Sequence, residues 1–129
     1  MAKILLVDDD DMFRDMLSKT LTKMGHVVVE AHDGKEAHKI FAEAPADLVI
    51  TDIVMPEKDG IQTIIELRHR YPGLQIVAMS GGGRMSPTNY LKSAKMLGAQ
   101  RVLAKPFSNQ ELAAVLNELL PNAAEPDKP

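Results

Sequence analysis

The 129-residue chain has no cysteine, which excludes disulfides, zinc–thiolate sites and thiol nucleophiles outright. It has no excess of positive charge: 15 Lys and Arg stand against 18 Asp and Glu, a formal charge of −3. No electrostatic footprint for nucleic acid or for an anionic membrane is therefore present. No apolar run approaches the roughly 18 residues of a membrane span. The first residues also lack the long apolar core of a signal peptide, because Met1-Ala2-Lys3 leads straight into a strand pattern. The four histidines, His26, His32, His38 and His69, share no metal-ligand spacing and read as surface or packing residues. What remains is one domain at residues 1–121, large enough for a real core. A polar tail at 122–129 is expected to be disordered, and the location is expected to be cytoplasmic.

Five short apolar runs alternate with five helical patterns. The strands are predicted at 4–7, 27–31, 48–51, 75–79 and 101–104, and the run into Asp52 has the length and β-branching of a buried strand. The first helical stripe is Phe13, Met16, Leu17, Thr20, Leu21 and Met24, with Gly25 as its stop. The second carries Ala37, Ile40, Phe41 and Ala44. The third carries Ile61, Ile64, Ile65 and Tyr71, and Arg68-His69-Arg70 closes it where cations favour the helix dipole. Leu91, Ala94 and Leu97 mark the fourth, and Leu112, Val115, Leu116, Leu119 and Leu120 the fifth. The eight methionines fall mostly in these stripes or at strand ends and read as core filler. Strict βα alternation with short connections predicts an α/β fold, a five-stranded parallel sheet covered on both faces. The common doubly wound order is 2-1-3-4-5, a flavodoxin-like (βα)5 arrangement.

In such a sheet, ligands bind beyond the carboxyl ends of the strands, at the switch between the first and third. The third strand runs into Asp52, and Met55-Pro56 with Asp59-Gly60 then stops it and opens a helix. The first strand runs into Asp8-Asp9-Asp10-Asp11. Asp10 and Asp11 read as helix-capping residues, whereas Asp8 and Asp9 would lie beside Asp52. Three carboxylates at one place repel one another unless a cation joins them. With oxygen ligands alone on offer, Mg²⁺ suits best. The fourth strand leads to Ser80 and then Gly81-Gly82-Gly83, and the fifth to Lys105-Pro106-Phe107. Each of these has a plain reading singly. Together they bring a hydroxyl, an ammonium and a metal site to one rim, as a transferring phosphoryl group requires.

These residues resemble the receiver domain of two-component response regulators, of the chemotaxis-type single-domain kind. They are Asp8-Asp9, Asp52 in its Met-Pro-x-x-Asp-Gly setting, Ser80, and Lys105-Pro106-Phe107. The resemblance spans residues 3 to about 120 and matches all five positions in type and order. It implies that Asp52 accepts a phosphoryl group from a phosphohistidine on a histidine kinase or phosphotransfer protein. Asp8, Asp9, Asp52 and the main-chain carbonyl of Val54 would hold Mg²⁺. Ser80 would bond a phosphoryl oxygen, and Lys105 would pair with Asp52 and then with the phosphoryl group across a cis Lys105–Pro106 bond. The domain would assist its own phosphorylation and dephosphorylation without being an enzyme. It would signal by docking a downstream protein at the fourth helix, fifth strand and fifth helix, or by phosphorelay, with no direct contact to nucleic acid or membrane.

Two positions depart from the family pattern. Val102 stands where the family often has an aromatic residue, so no ring on the fifth strand can swing with the hydroxyl residue. The stretch 81–87 is longer than in compact members. It reads as a long surface loop or as a segment ordered by phosphorylation, with Arg84 a second phosphoryl contact. A haloacid-dehalogenase-like phosphatase would make Asp8 the reacting acid, using Asp10, Ser80 and Lys105, but it leaves the Asp52 motif unexplained and lacks an acidic pair after Lys105. A receiver fold acting purely as an interaction module has no use for the intact acidic set. A dinucleotide-binding domain would need a glycine-rich turn where Asp8–Asp11 stand.

Overall fold

The strands are β1 (Lys3–Val7), β2 (Val27–Ala31), β3 (Leu48–Asp52), β4 (Gln75–Ser80) and β5 (Arg101–Ala104). All pair in parallel, in the order β2-β1-β3-β4-β5, the doubly wound flavodoxin-like order expected from the alternation. The helices are α1 (Asp11–Lys23), α2 (Gly34–Glu43), α3 (Gly60–Arg70) and α4 (Asn109–Leu119); α4 is the fifth helical pattern of the sequence. The computed structural model describes residues 2–53, 60–80 and 98–120. Val54, Asp59, the 81–87 stretch with Arg84, the fourth helical pattern and the tail at 122–129 lie outside the described residues.

The two-residue period of the strands divides the core. Leu5, Val7, Val49, Ile76 and Ala78 face one side and meet Ala37 and Phe41 of α2 and Ile64 and Leu67 of α3. Ile4, Leu6, Leu48, Ile50, Val77 and Met79 face the other and meet Leu17 and Leu21 of α1 and Leu112 and Leu116 of α4. β3 is buried at all five positions, because helices cover both faces and no alternation of polar residues is needed. Each large aliphatic side chain so enclosed contributes about 1.5–3 kcal/mol. The strand ends differ by one residue from the expected spans. β3 extends to Asp52, which pairs in register with Met79, and β4 extends to Ser80, opposite Ala104.

Sequence-local signals fix the helix ends. Asp10 caps α1 by accepting from Phe13 N, Asp33 caps α2 by accepting from Glu36 N, and Ser108 with Glu111 forms a capping box on α4. Gly25 after α1 has φ of 100°, which glycine adopts without steric cost. The methionine reading needs correction. Met24 is half-buried and Met79 buried, but Met12 is 85% and Met16 58% exposed. Met16 lies about 100° round the helix from Leu17, and the apolar contact of α1 and its C-cap with the sheet runs along the narrow stripe of Phe13, Leu17, Leu21 and Met24. Arg68 also does more than answer the α3 dipole. It donates to the carbonyls of Pro72 and Gly98 and to Gln100 Oε1, tying the end of α3 to the approach to β5.

His26, at the entry to β2, is buried, and its Nδ1 accepts from Ala2 N at 3.4 Å. Burial holds its pKa below the ordinary 6.5 because the charged imidazolium is disfavoured away from water. The unfolded chain therefore takes up a proton before the folded one does. The stability this group contributes is whole above the unfolded pKa and is lost as pH falls through the lower folded value. Urea midpoints followed from about pH 7.5 down to about pH 5 should fall for the wild type. They should fall less steeply for His26→Gln; an unchanged slope would assign the titration elsewhere.

Candidate functional site

At the carboxyl end of β1 the chain turns at Asp8, which is fully buried. Its N–H donates to Ala31 O at 3.1 Å, continuing the ladder to β2. Its carbonyl accepts from Arg14 Nη1 at 2.7 Å, and its Oδ1 accepts from Asp10 N at 2.9 Å. Arg14 also reaches Glu30 at 2.9 Å and Asp11 at 2.8 Å. Burial works to lower the pKa of its guanidinium, but the two carboxylates outweigh that and raise it. α1 is thus pinned to the end of β1 by a cation that stays charged. The sequence stripe gave no sign of this role for Arg14.

Asp52, the last residue of β3, is 7% exposed and Asp9 is exposed. One carboxylate oxygen from each of Asp8, Asp9 and Asp52 lies within 4.8 Å of the others. At an effective dielectric near 20, the Asp8–Asp52 repulsion is roughly 3–4 kcal/mol. Lys105, just past β5, answers it. Its Nζ donates to Asp8 Oδ2 at 2.9 Å and stands 3.7 Å from Asp52 Oδ2. Lys105 N donates to Ser80 O at 2.8 Å, and the Lys105–Pro106 bond is cis. One ammonium against three carboxylates leaves the cluster net negative. An all-oxygen, partly open donor set fits a hard cation that keeps some of its waters, as Mg²⁺ does.

Ser80 is fully buried at the end of β4, and its Oγ has no hydrogen-bond partner among the described residues. A buried hydroxyl left so costs about 1–3 kcal/mol, a cost that a ligand oxygen would remove. The fold therefore gathers Asp8, Asp9 and Asp52 together and sets Lys105 against Asp8 and Asp52. It also ends β4 at Ser80, next to β3. Val54 lies outside the described residues. Val102, half-buried, packs against the α2–α3 side of the core.

Gly60 has a part that the motif reading gave only to helix capping. Its N–H donates to Ile53 O at 3.3 Å. A Cβ built on it would overlap the main-chain oxygen of Asp52 and come 2.5 Å from Ile53 Cα. A glycine is thus required for the first turn of α3 to lie against the backbone that carries Asp52.

A family model described as the response regulator receiver domain matches residues 4–117. The chain is 37% identical over 120 residues to the transcriptional regulatory protein CpxR of Klebsiella pneumoniae, covering 93% of this chain and 50% of that protein. It is 33% identical over 121 residues to the chemotaxis protein CheY of Halobacterium salinarum, covering 93% and 98%. Among solved structures, the receiver domain of NtrX from Brucella abortus superimposes with a TM-score of 0.85 at 30% identity, covering 92% of this chain and 98% of that one. The Vibrio cholerae chemotaxis protein CheY4 does so at 0.82 and 34%, covering 93% and 99%. The chain thus spans about half the length of CpxR and nearly all of CheY.

Proposed function

This chain belongs to the receiver-domain family of two-component response regulators, and from that premise we propose that Asp52 is its phosphoacceptor. The observation that carries the reading is the convergence of Lys105 Nζ, 2.9 Å from Asp8 and 3.7 Å from Asp52, on a cluster of three carboxylates. The donor is a phosphohistidine of a histidine kinase or phosphotransfer protein. An Asp52 carboxylate oxygen attacks phosphorus, the P–N bond breaks, and the imidazole nitrogen keeps the electron pair. A carboxylate is a weak nucleophile, so the rate comes from alignment and from neutralising the charge of the phosphoryl oxygens. Lys105, a point charge on a flexible stem, changes partner from the carboxylates to the phosphoryl group. The Ser80 hydroxyl, buried without a partner among the described residues, donates to a phosphoryl oxygen.

Asp8, Asp9 and Asp52, with the Val54 carbonyl, would hold Mg²⁺, which when bound supplies positive charge to the phosphoryl oxygens. The modified aspartate carries about 1.5–2 negative charges in place of the carboxylate's single one, if it titrates like other phosphorylated side chains. Partners that bind the modified and unmodified states differently then read the signal. The output is docking of a downstream protein or passage of the phosphoryl group along a relay, in the cytoplasm.

Phosphoryl uptake from a small phosphodonor such as acetyl phosphate, followed by intact mass, tests this. With Mg²⁺ the protein should gain one phosphoryl group. Excess chelator should slow the gain by at least about tenfold. Equal uptake with and without the metal would contradict the role given to the acidic cluster.

A further inference from the structure

Lys105 has a neighbour besides the carboxylates. Its Nζ lies 4.1 Å from the centroid of the Phe13 ring. That ring meets Phe107 edge-on, with centroids 6.2 Å apart and planes at 88°. Both rings are half-buried against the α1–α4 side of the core. A cation over an aromatic face is attracted by the ring's quadrupole, and more strongly where water is thinned out. The backbone of Phe13 is held on both sides. Its N–H donates to Asp10 Oδ1 at 3.0 Å, and the next residue, Arg14, binds Asp8 O. Phe107 follows Lys105 by two residues. A ring fixed to α1 and a ring fixed just before α4 thus flank the ammonium that faces Asp8 and Asp52.

We propose that Phe13 is a positioning residue for Lys105, and that the Phe13–Phe107 pair carries the position of its ammonium outward to α1 and α4. This rests on the assignment of Asp52 as phosphoacceptor and of Lys105 as its changing partner. When phosphoryl oxygens draw Nζ away from its resting place, the attraction over the Phe13 ring changes. The edge contact with Phe107 must then readjust. An aliphatic side chain at position 13 would fill the same space without attracting the charge. The pair gives the site a ring contact that Val102 on β5 does not offer.

The chain has three phenylalanines, and the third, Phe41, packs on Tyr71 at 4.5 Å on the opposite face of the sheet. Fluorophenylalanine labelling therefore gives three resonances with a built-in control. Fluorine NMR is recorded before and after acetyl phosphate with Mg²⁺, with intact mass measured on the same sample. The Phe13 and Phe107 resonances should move while Phe41 stays. Lys105→Met should shift Phe13 in the unmodified protein. Phe13→Leu should slow uptake about three- to tenfold, and Phe13→Tyr, which keeps the ring, should restore it to within roughly twofold. Added mass with all three resonances unmoved would overturn the proposal, as would Phe13→Leu reacting at the wild-type rate. Absence of added mass is a separate result, which removes the phosphoacceptor assignment, while an unmoved Phe13 resonance in Lys105→Met removes the ring contact itself.

Discussion

Replacing Asp52 by asparagine is expected to reduce phosphoryl uptake at least about a hundredfold, because an amide offers no anionic oxygen to attack phosphorus. The fold should survive. Asp52 shares its place with Asp8 and Asp9, and the Lys105 ammonium lies nearer Asp8 than Asp52. Neutralising Asp52 relieves a like-charge contact in a poorly hydrated place and leaves the shorter ion pair intact. The unmodified variant should therefore be no less stable than the wild type in urea. Its response to Mg²⁺ should weaken. A metal that binds only the folded state stabilises by about 2.7 kcal/mol at a hundred times its dissociation constant. With one carboxylate fewer, the same Mg²⁺ concentration should raise the midpoint less. A variant that lost uptake by unfolding would fail both comparisons, so the chemical and structural explanations separate.

Gly60→Ala is expected to be the more damaging change to the fold, although it adds one methyl group. The new Cβ would overlap the main-chain oxygen of Asp52 and crowd Ile53 Cα. These are backbone atoms of a fully buried strand end and cannot rotate aside. Overpacking of this kind costs about 1–3 kcal/mol and sometimes more, and the upper end applies where backbone must move. Relief would come from displacing α3 or from shifting Asp52. Circular dichroism melts should show a lower midpoint, and phosphoryl uptake by the folded fraction should also fall. A melt matching the wild type would mean that the α3–β3 contact is looser than this geometry.

Much of this arrangement was legible in the sequence because it rests on local, periodic signals. The runs ending at Val7, Thr51 and Met79 are apolar on both faces, which only a strand covered on both sides needs. Their alternation with helical stripes leaves few topologies. The same order delivers Asp8, Asp9, Asp52 and Lys105 to one rim, so the cluster follows from chain order and strand ends. What sequence did not disclose depends on contacts between residues far apart in the chain. Phe13 reads as one more apolar residue of α1, and only the fold brings it under Lys105, 92 positions on in sequence. Arg14 looks like a solvated cation until Asp8 O and Glu30 are placed beside it. Met16 falls within a plausible stripe but on its flank, where the sheet does not reach. Gly60 announces a turn, yet the closeness of the Asp52 backbone is a three-dimensional fact.

The most direct measurement is peptide mapping of the protein after reaction with acetyl phosphate and Mg²⁺, with the acyl phosphate trapped by reduction before digestion. The modification is expected on Asp52 alone, with Asp8 and Asp9 unmodified. A modification on Asp8, as a phosphatase of the dehalogenase type would carry, or no modification of any aspartate, would contradict the account.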